Sequence, residues 1–437
     1  MPTNRTTQRS LRRYLAKKVF GGSRALVRRG LPARVVTAAL AAAALSVADQ
    51  GSFASASVPS ATTTVPSATT ENAISWFGSQ VTTLGAYRYP DTFAGAEVSG
   101  SILTLQVAPG QPSQQASFLS QVQGLNSGGF TVDIVHVRND WAWFNSIMSR
   151  IAADHSALAA AGLHPAVLLP NYPTNSIQVE LQQPTSADEA ALATAVGTST
   201  SAEATSFSTY ATAAANLLTD RYGPGINVAP SPAPSAQLIS SRISDNGSTE
   251  ADYMTDNYNS QCTSGFAVYG RVNNSNHFTL TAAHCSSSNG GNNGATWYIP
   301  DPPSGTSIGS VSGVYYCNGV DDVETIGPNS NVGPYVFGGP AGDTSPPVYS
   351  VYGSVLPAVG AKIAADGANS GEVRNLPVWA NNAYVTEPGG CGAFVQHMVE
   401  IPASYNGVTV CQPGDSGAPF MQHTPSNFKQ CICSGGR

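Results

Sequence analysis

The stretch Cys411-Gln412-Pro413-Gly414-Asp415-Ser416-Gly417-Ala418-Pro419-Phe420 places one serine between a carboxylate and a glycine on a tight turn. Glycines adopt backbone conformations that a side chain blocks, so this turn can expose the Ser416 hydroxyl while backbone N–H groups converge beside it. Ser416 is therefore the candidate nucleophile. The backbone N–H groups of Gly414 and Ser416 are the candidate donors of an oxyanion hole.

A serine hydroxyl is a weak nucleophile at neutral pH and needs a base within hydrogen-bond reach, with a carboxylate that orients this base. The candidate base is His284, in Thr281-Ala282-Ala283-His284-Cys285, which follows the apolar-alternating run His277–Thr281. That pattern predicts a strand that ends just before the histidine. A histidine there is often merely structural, but the adjacent cysteine and the serine motif downstream favour catalysis.

Together the two motifs resemble the histidine and serine motifs of chymotrypsin-like serine peptidases. The run Cys262-Thr263-Ser264-Gly265-Phe266-Ala267-Val268 narrows the resemblance to secreted bacterial members, the streptogrisin and alpha-lytic-protease-like enzymes. This resemblance implies an all-β fold of two six-stranded antiparallel barrels, with the catalytic residues in the cleft between them. It also implies an α+β pro-region ahead of the barrels.

The third catalytic residue is expected between the histidine and the serine. There Asp322-Val323-Glu324-Thr325-Ile326 matches the acid-strand pattern of the family better than a start at Asp321 does. A solvated loop carboxylate is the commoner role for such a residue, but the order His284, Asp322, Ser416 is the chymotrypsin-like one. The expected reaction is acyl transfer, in which the histidine takes the serine proton and the carboxylate supports the imidazolium.

Substrate specificity is less clear from the sequence. The resemblance aligns Ser434, Gly435 and Gly436 with the strand that pairs with the substrate backbone. The residues Val408-Thr409-Val410 provide no carboxylate where arginine- and lysine-cutting relatives have one, and Cys433 replaces the histidine of glutamate-specific relatives. We therefore expect cleavage after an apolar or small side chain.

The carboxylate that precedes the nucleophile has two interpretations. No Ile-Val-Gly-Gly start follows the proline-rich linker, which argues against activation by insertion of a new N-terminus. Asp415 is therefore expected to stabilise its turn and not to act directly in catalysis.

All seven cysteines lie beyond residue 260, in the part expected to be secreted into an oxidising compartment. A disulfide between Cys262 and Cys285 would pin the loop that carries His284. The cysteines and histidines lack the paired Cys-x-x-Cys or His-x-x-His spacing of metal sites, so neither a metal nor another cofactor is expected. Pairing stays open for the other five, which are Cys317, Cys391, Cys411, Cys431 and Cys433.

The N-terminus has the composition of a secretory signal peptide. Ten of the 20 Lys and Arg residues and no acidic residue lie in the first 48 positions, so the rest of the chain carries 10 basic against 26 acidic residues. A basic segment followed by an apolar run too short to span a bilayer predicts cleavage after Ala48 or Ala56 and a secreted product. A surface-lying or membrane-anchoring helix is the alternative. The acidic remainder does not suit nucleic-acid binding.

The segment after the signal peptide reads as an α+β unit with no recognisable catalytic cluster. Alternation predicts strands at Leu103 to Val107 and Val132 to Val137, and helical spacing predicts helices at Trp141 to Ile151 and Phe207 to Tyr222. Two apolar runs, 166–169 and 177–181, flank a Pro- and Asn-rich turn and predict a β-hairpin. By its resemblance to bacterial pro-regions, this unit is expected to assist folding of the peptidase and then to be cut off.

These patterns divide the chain into five parts. They are a signal region (1–56), a flexible Ser/Thr/Ala/Pro segment (57–75), the pro-region (76–228), a linker and processing region (229–256) and the peptidase domain (257–437). The prolines of Ala229-Pro230-Ser231-Pro232-Ala233-Pro234-Ser235 predict that neither a strand nor a helix forms in the linker. The expected partners are protein or peptide substrates and the chain's own pro-region, and the product is expected to be a monomer without a membrane attachment.

A second hypothesis comes from the C-terminus. Fewer residues follow Ser416 than the resembling enzymes use to complete their second barrel, and the usual disulfide partner of Cys411 is missing among them. The alternative to an active peptidase is therefore a truncated, non-catalytic homologue that binds peptides or its own pro-region at most.

Overall fold

The computed structural model describes thirteen stretches of the chain, and the predicted signal region 1–56 lies outside them. They are residues 68–197, 207–231, 253–256, 261–269, 277–287, 294–299, 305–315, 322–328, 335–341, 347–386, 394–412, 414–422 and 430–433. In these stretches no helix is both long enough and apolar enough to cross a bilayer.

Residues 68–231 form an α+β unit of two small sheets and six helices. The helices are α1 (Ala68–Arg88), α2 (Pro112–Leu125), α3 (Trp141–Ala153), α4 (His155–Ala160), α5 (Ser186–Ala195) and α6 (Phe207–Tyr222). The strands are β1 (Phe93–Ser99), β2 (Ile102–Val107), β3 (Thr131–His136), β4 (Pro165–Asn171), β5 (Ser176–Leu181) and β6 (Ile226–Pro230). Strands β1, β2 and β3 form one sheet, and β4, β5 and β6 are neighbours in the other.

Most elements expected here from hydrophobic periodicity are confirmed. In α3 the apolar residues at helical spacing are buried, and the Asp140 carboxylate caps the helix by accepting the Trp143 N–H at 2.7 Å. The predicted hairpin is β4 and β5, which pair antiparallel. The predicted strands near residues 103 and 132 are β2 and β3, and the predicted second helix is α6.

Three predicted domain boundaries are wrong, and two of them lie in this unit. The flexible segment was expected to reach residue 75, but α1 begins at Ala68 and buries Ile74 and Ser75, because tertiary contacts order a stretch of low intrinsic helix propensity. Ala229 and Pro230 were assigned to the linker, but they belong to β6 and align with Glu180 and Leu181 of β5. A proline is tolerated there because it ends an edge strand.

The described residues between 253 and 433 lie mostly in β-strands, and they include one short helix, α7 (His284–Ser287). The strands are β7 (Tyr253–Asp256), β8 (Gln261–Thr263), β9 (Ala267–Tyr269), β10 (His277–Thr281), β11 (Thr296–Ile299), β12 (Thr306–Tyr315), β13 (Val323–Ile326), β14 (Tyr335–Phe337), β15 (Val348–Ser354), β16 (Lys362–Gly367), β17 (Gly371–Pro377), β18 (Ala380–Thr386), β19 (Phe394–Glu400), β20 (Ser404–Tyr405), β21 (Val408–Thr409), β22 (Phe420–Met421) and β23 (Gln430–Cys433).

The first seven of these strands form one antiparallel sheet in the order β8-β7-β11-β12-β13-β10-β9. Its two outer strands, β8 and β9, are separated by three residues in the chain. Strand β7 comes from the stretch expected to be linker, so the C-terminal β-structure begins at Tyr253 or earlier and not at residue 257.

The remaining strands form smaller sheets, β14-β15-β23, β17-β16-β22 and the ribbon β20-β21. The pairs are antiparallel except that β23 runs parallel to β15. The C-terminal part is therefore mostly antiparallel β-sheet, as expected, but its described strands do not form a barrel closed by hydrogen bonds.

The N-terminal unit and the C-terminal β-structure share one sheet. Strand β18 pairs with β19 on one side and with β4 on the other, which gives the five-stranded order β19-β18-β4-β5-β6. Tyr384 of β18 and Phe394 of β19 are almost fully buried in the same apolar cluster as the helices α3 and α6. The hairpin β18–β19 is thus part of the core of the N-terminal unit.

A second junction involves α1 and the backbone segment 356–362. The hydroxyl oxygens of Ser75, Ser79 and Thr83 accept N–H groups of residues 362, 358 and 356 at 3.0, 3.3 and 2.8 Å. These hydroxyls are spaced four residues apart, so they lie along one face of the helix. We call this row the hydroxyl ladder.

Candidate active site

The turn that carries Ser416 depends on its two glycines. Gly414 and Gly417 have φ values of +96° and +88°, a region that residues with a Cβ rarely adopt. A Cβ at Gly417 would also lie 2.2 Å from Thr281 Oγ1. The turn therefore packs directly on the end of β10, and the Thr263 N–H of β8 bonds to the carbonyl of Ser416 at 2.9 Å.

Asp415 stabilises this turn from inside, as expected. Its carboxylate is 7% exposed and accepts backbone N–H groups from Asn369 at 2.8 Å, Ser370 at 3.2 Å and Gln412 at 2.6 Å. Three donors satisfy a buried charge that would otherwise be costly. The interaction partners of Asp415 are thus local backbone groups.

His284 is the first residue of the short helix α7. The two preceding residues, Ala282 and Ala283, are buried, and the following one, Cys285, is bonded to Cys262. The predicted disulfide is therefore confirmed, and it ties the histidine turn to β8, the strand that also contacts the serine turn.

The structure brings His284, Asp322 and Ser416 together. His284 Nε2 lies 2.8 Å from Ser416 Oγ, and His284 Nδ1 lies 2.6 Å from Asp322 Oδ2. The second carboxylate oxygen, Asp322 Oδ1, accepts the backbone N–H of His284 at 2.9 Å. The side chains of the histidine and the aspartate are 16% and 17% exposed, so the group is largely shielded from water. Asp321, the other candidate, lies outside the described residues.

The hydrogen-bond pattern determines the tautomer of the imidazole. An ionised carboxylate only accepts, so Nδ1 of the neutral ring must donate to Asp322. Nε2 is then left as an acceptor that faces the hydroxyl of Ser416. This arrangement can remove the hydroxyl proton as the oxygen attacks an electrophile.

Backbone donors beside Ser416 are available for a negatively charged oxygen. Among the described residues, the N–H groups of Gly414 and Ser416 donate no hydrogen bond, whereas those of Asp415 and Ala418 bond to Gln412 O and Asp415 O at 3.0 and 2.9 Å. The Gly417 N–H likewise donates none among the described residues, so the two predicted oxyanion donors are among three N–H groups that the turn leaves available.

Thr263 is a residue of this site that sequence reasoning missed. Its hydroxyl donates to Gly414 O at 2.9 Å and accepts the Ala368 N–H at 3.0 Å, so it links the serine turn to the end of β16. The residue lies in the quoted Cys262-Thr263-Ser264 run, but nothing local shows that its side chain reaches a turn 151 residues later in the chain.

The structure describes the other cysteines of this region only in part. Cys411 has a free thiol. Desolvation of the thiol, and next the Asp415 carboxylate, raise the pKa of Cys411 above its usual value, which keeps it protonated at neutral pH. Cys317 and Cys391 lie outside the described residues, as do the predicted substrate-binding residues Ser434, Gly435 and Gly436. Cys431 and Cys433 are placed only by the backbone of β23.

The described residues contain no group of three or more His, Cys, Asp or Glu side chains that could hold a metal ion. Comparison of the chain with models of known protein families and with curated proteins finds no match.

Proposed function

We propose that this chain is a secreted serine endopeptidase that hydrolyses peptide bonds through an acyl-enzyme and is made as a self-processing precursor. The observation that carries the proposal is the continuous hydrogen-bonded series from Asp322 through His284 to Ser416, at 2.6 and 2.8 Å. Three residues predicted from separate parts of the sequence meet in the order and with the tautomer that nucleophilic catalysis needs.

In the proposed mechanism Ser416 Oγ attacks the carbonyl carbon of the substrate while His284 Nε2 takes its proton. Asp322 accepts the hydrogen bond from Nδ1 and supports the positive charge on the ring. The N–H groups of Gly414 and Ser416 stabilise the oxyanion, each at about 3 kcal/mol. The imidazolium then protonates the leaving amine, and water hydrolyses the ester by the same path in reverse.

The proposed fold is that of the chymotrypsin-like peptidases, with two β-barrels and the catalytic groups between them. The antiparallel sheet β8-β7-β11-β12-β13-β10-β9 positions both His284, in the short helix that follows β10, and Asp322, which directly precedes β13. The serine turn leads into β22, which pairs with β16 of a different sheet. Catalytic groups supplied by two sheets are what this architecture requires.

We also propose that residues 68–231 are the pro-region of this enzyme. The supporting observation is that β4 pairs with β18 and that the hydroxyl ladder binds residues 356–362, both within the C-terminal β-structure. An all-β fold of mostly non-local contacts folds slowly. A preformed strand β4 and helix α1 would give hairpin β18–β19 and the segment before β16 a template during folding.

Cleavage between the two parts is proposed within residues 232–252. Strand β6 ends at Pro230, and the Ser231 N–H still bonds to Leu181 O at 2.8 Å. Strand β7 begins at Tyr253. The interval between these elements is narrower than the region 229–256 inferred from composition.

The proposal is tested with the secreted full-length chain and a fluorophosphonate probe. In the expected reaction Ser416 Oγ forms a bond to phosphorus, the phosphorus–fluorine bond breaks, and the released proton passes to His284. Mass spectrometry should find the adduct on Ser416, and Ser416→Ala and His284→Ala should abolish it. A folded wild-type chain, judged by circular dichroism, that forms no adduct would overturn the peptidase proposal and favour the non-catalytic homologue.

A further inference from the structure

A second carboxyl group lies close to the catalytic histidine and has no role in the mechanism above. Glu324 is fully buried in β13, and its Oε2 accepts a hydrogen bond from the hydroxyl of Ser286, which is 1% exposed. Side chains alternate along a strand, so Glu324 and Ile326 share one face of β13, and that face is the buried one. Burial of a carboxyl group is costly unless it is hydrogen-bonded, so its presence here calls for a reason.

The geometry links this carboxyl group to the histidine turn. Asp322 directly precedes β13 and Glu324 is the second residue of that strand, so both lie near the same end of it. Asp322 accepts the backbone N–H of His284, and Glu324 accepts the hydroxyl of Ser286, two residues further along α7. Between these two contacts Cys285 is bonded to Cys262. Three consecutive residues of the turn are thus each held by a separate neighbour.

Helix α7 needs such support. It spans only the four residues His284–Ser287, and one helical turn has no stability of its own in water. Its first residue must nevertheless hold two contacts at once, 2.6 Å to Asp322 and 2.8 Å to Ser416. A small rotation of the turn would lengthen at least one of them, and a misplacement of about 1 Å can reduce a rate by about 100-fold.

We propose that Glu324 is a positioning residue for the catalytic base: through Ser286 it fixes the orientation of the turn from which His284 reaches Asp322 and Ser416. This inference rests on the proposed function, because it concerns the reactivity of the same serine. It differs from a purely structural role, in which the pair would only stabilise the fold and leave the reactivity of Ser416 unchanged.

The test measures the rate of fluorophosphonate labelling of Ser416 in full-length chains, over a range of probe concentrations that separates binding (Ki) from the chemical step (kinact). Ser286→Ala removes the donor hydroxyl, Glu324→Leu removes the acceptor, and Glu324→Gln keeps an acceptor oxygen at the same place. The matched control is Ser312→Ala, because the exposed Ser312 hydroxyl also bonds to β13, at the Thr325 carbonyl, 3.2 Å away. Thermal unfolding of each chain is recorded in parallel.

We expect Ser286→Ala and Glu324→Leu to lower kinact by about 10- to 100-fold with Ki unchanged, as loss of an orienting neighbour does elsewhere. Glu324→Gln should keep kinact within about threefold of the wild type, and Ser312→Ala should leave it unchanged. If the leucine variant does not fold, Ser286→Ala decides alone, since it removes a single oxygen atom.

The outcomes separate the two proposals. A folded Ser286→Ala chain with wild-type kinact, even with a lower melting temperature, would overturn the positioning role and leave the peptidase intact. If Glu324→Gln lowered kinact as much as Glu324→Leu does, the positioning role would also be contradicted, because glutamine retains the hydrogen-bond acceptor. A wild-type chain that is not labelled at all overturns the proposed function and this inference together.

Discussion

At the scale of single residues, the site depends on buried polar groups that have their hydrogen bonds satisfied by backbone atoms. Asp415 is the clearest case, because its carboxylate holds three N–H groups from two separate loops. Thr263 of β8 supports the same turn, because its hydroxyl donates a hydrogen bond to the carbonyl oxygen of Gly414. The backbone that carries Ser416 is therefore held in place by Asp415 and Thr263. Substitution of either residue should lower both the stability of the fold and the rate at which Ser416 reacts.

For Asp415 we expect a large and graded effect. Asp415→Ala leaves the N–H groups of Asn369, Ser370 and Gln412 without their acceptor and should lower the free energy of unfolding by about 3 kcal/mol. Asp415→Asn keeps one acceptor oxygen for residues 369 and 370, but it places an amide where Gln412 needs an acceptor, so its loss should be smaller. Urea unfolding of chains that also carry Ser416→Ala, to prevent self-cleavage, measures both. Equal losses in the two variants would contradict this account.

At the scale of elements, the hydroxyl ladder joins helix α1 to the segment 356–362, which bridges to β1 at Val359 and leads into β16. Two of the ladder hydroxyls also donate along their own helix, Ser79 to the Ser75 carbonyl at 2.9 Å and Thr83 to the Ser79 carbonyl at 2.8 Å. The oxygens are then free to accept the N–H groups of residues 356–362. The ladder thus satisfies polar groups of both partners at once.

The hydroxyl ladder predicts how removal of one of its hydroxyl oxygens changes the stability of the fold. Ser79→Ala leaves the buried Ala358 N–H without an acceptor, so we expect it to lower the free energy of unfolding by about 1–3 kcal/mol. Ser120→Ala, the same change at an exposed position of α2, should be neutral or slightly stabilising because alanine has the higher helix propensity. Denaturant unfolding of both chains measures the difference. If Ser79→Ala matched the control, the ladder would carry no stability.

The contact between α4 and β19 predicts a pH dependence. The His155 ring packs against Phe394 with centroids 5.8 Å apart. Desolvation, and next the charge of His164, lower the pKa of His155 below the ordinary histidine value of 6.5. The folded chain therefore binds this proton less readily than the unfolded chain. Above pH 6.5 the group costs nothing, and stability falls as the pH drops below that value.

The measurement compares unfolding at pH 7.5 and pH 5.0. His155→Gln should lose less stability on acidification than the wild type does. The difference between the two losses should be below about 1.4 kcal/mol, because the ring is partly exposed and its charge is screened by water. His136→Gln, a change of an exposed histidine in β3, is the control and should follow the wild type. The other facing groups are His164 and Asp188, which are paired with each other at 3.0 Å. The pKa of Asp188 is lowered chiefly by the Thr185 backbone N–H, so its contribution is lost only at lower pH. Parallel losses in all three chains would refute the assignment to His155.

At the scale of the whole molecule, two polypeptide parts share one sheet and one core. The local patterns of the sequence predicted the hairpin β4–β5, the helices α3 and α6, the disulfide at Cys285 and the residues that meet at Ser416. They did not predict that β18 pairs with β4, because register between strands more than 200 residues apart is determined by tertiary packing and leaves no local signal.

The remaining misses have the same origin. Helix α1 begins in a Ser- and Thr-rich stretch that composition alone predicts to be flexible, and its order depends on partners near residue 358. Glu324 lies in the strand pattern quoted after Asp322, and no local signal shows that its carboxyl group is buried against the histidine turn. The sequence predicts features whose residues lie at short, fixed spacing along the chain. It does not predict burial that segments distant in the chain cause.

The shared sheet predicts how the two parts behave when the chain is cut. Their contact buries polar groups as well as apolar ones: Asn381 bonds to the Tyr172 hydroxyl and, through Nδ2, to Pro357 O at 2.7 Å. A chain carrying Ser416→Ala and an inserted protease site within residues 232–252 should, once cut, elute as one complex in size-exclusion chromatography. It should separate only in denaturant, because strand pairing and core packing hold the parts together.

Substitution of Asn381 tests whether its buried hydrogen bonds stabilise the contact between the two parts. Asn381→Ala leaves the Tyr172 hydroxyl and the Pro357 carbonyl unsatisfied in a buried place, which costs about 1–3 kcal/mol for each group. The cut complex should then separate at a lower denaturant concentration than the parent. Adding Tyr172→Phe removes the unsatisfied hydroxyl and should recover part of the lost stability of the complex. Ser312→Ala, a change at an exposed position, should have no effect. Two parts that separate in plain buffer after cutting would show that the five-stranded sheet depends on the intact chain, and the proposed role of residues 68–231 as a folding template would then fail.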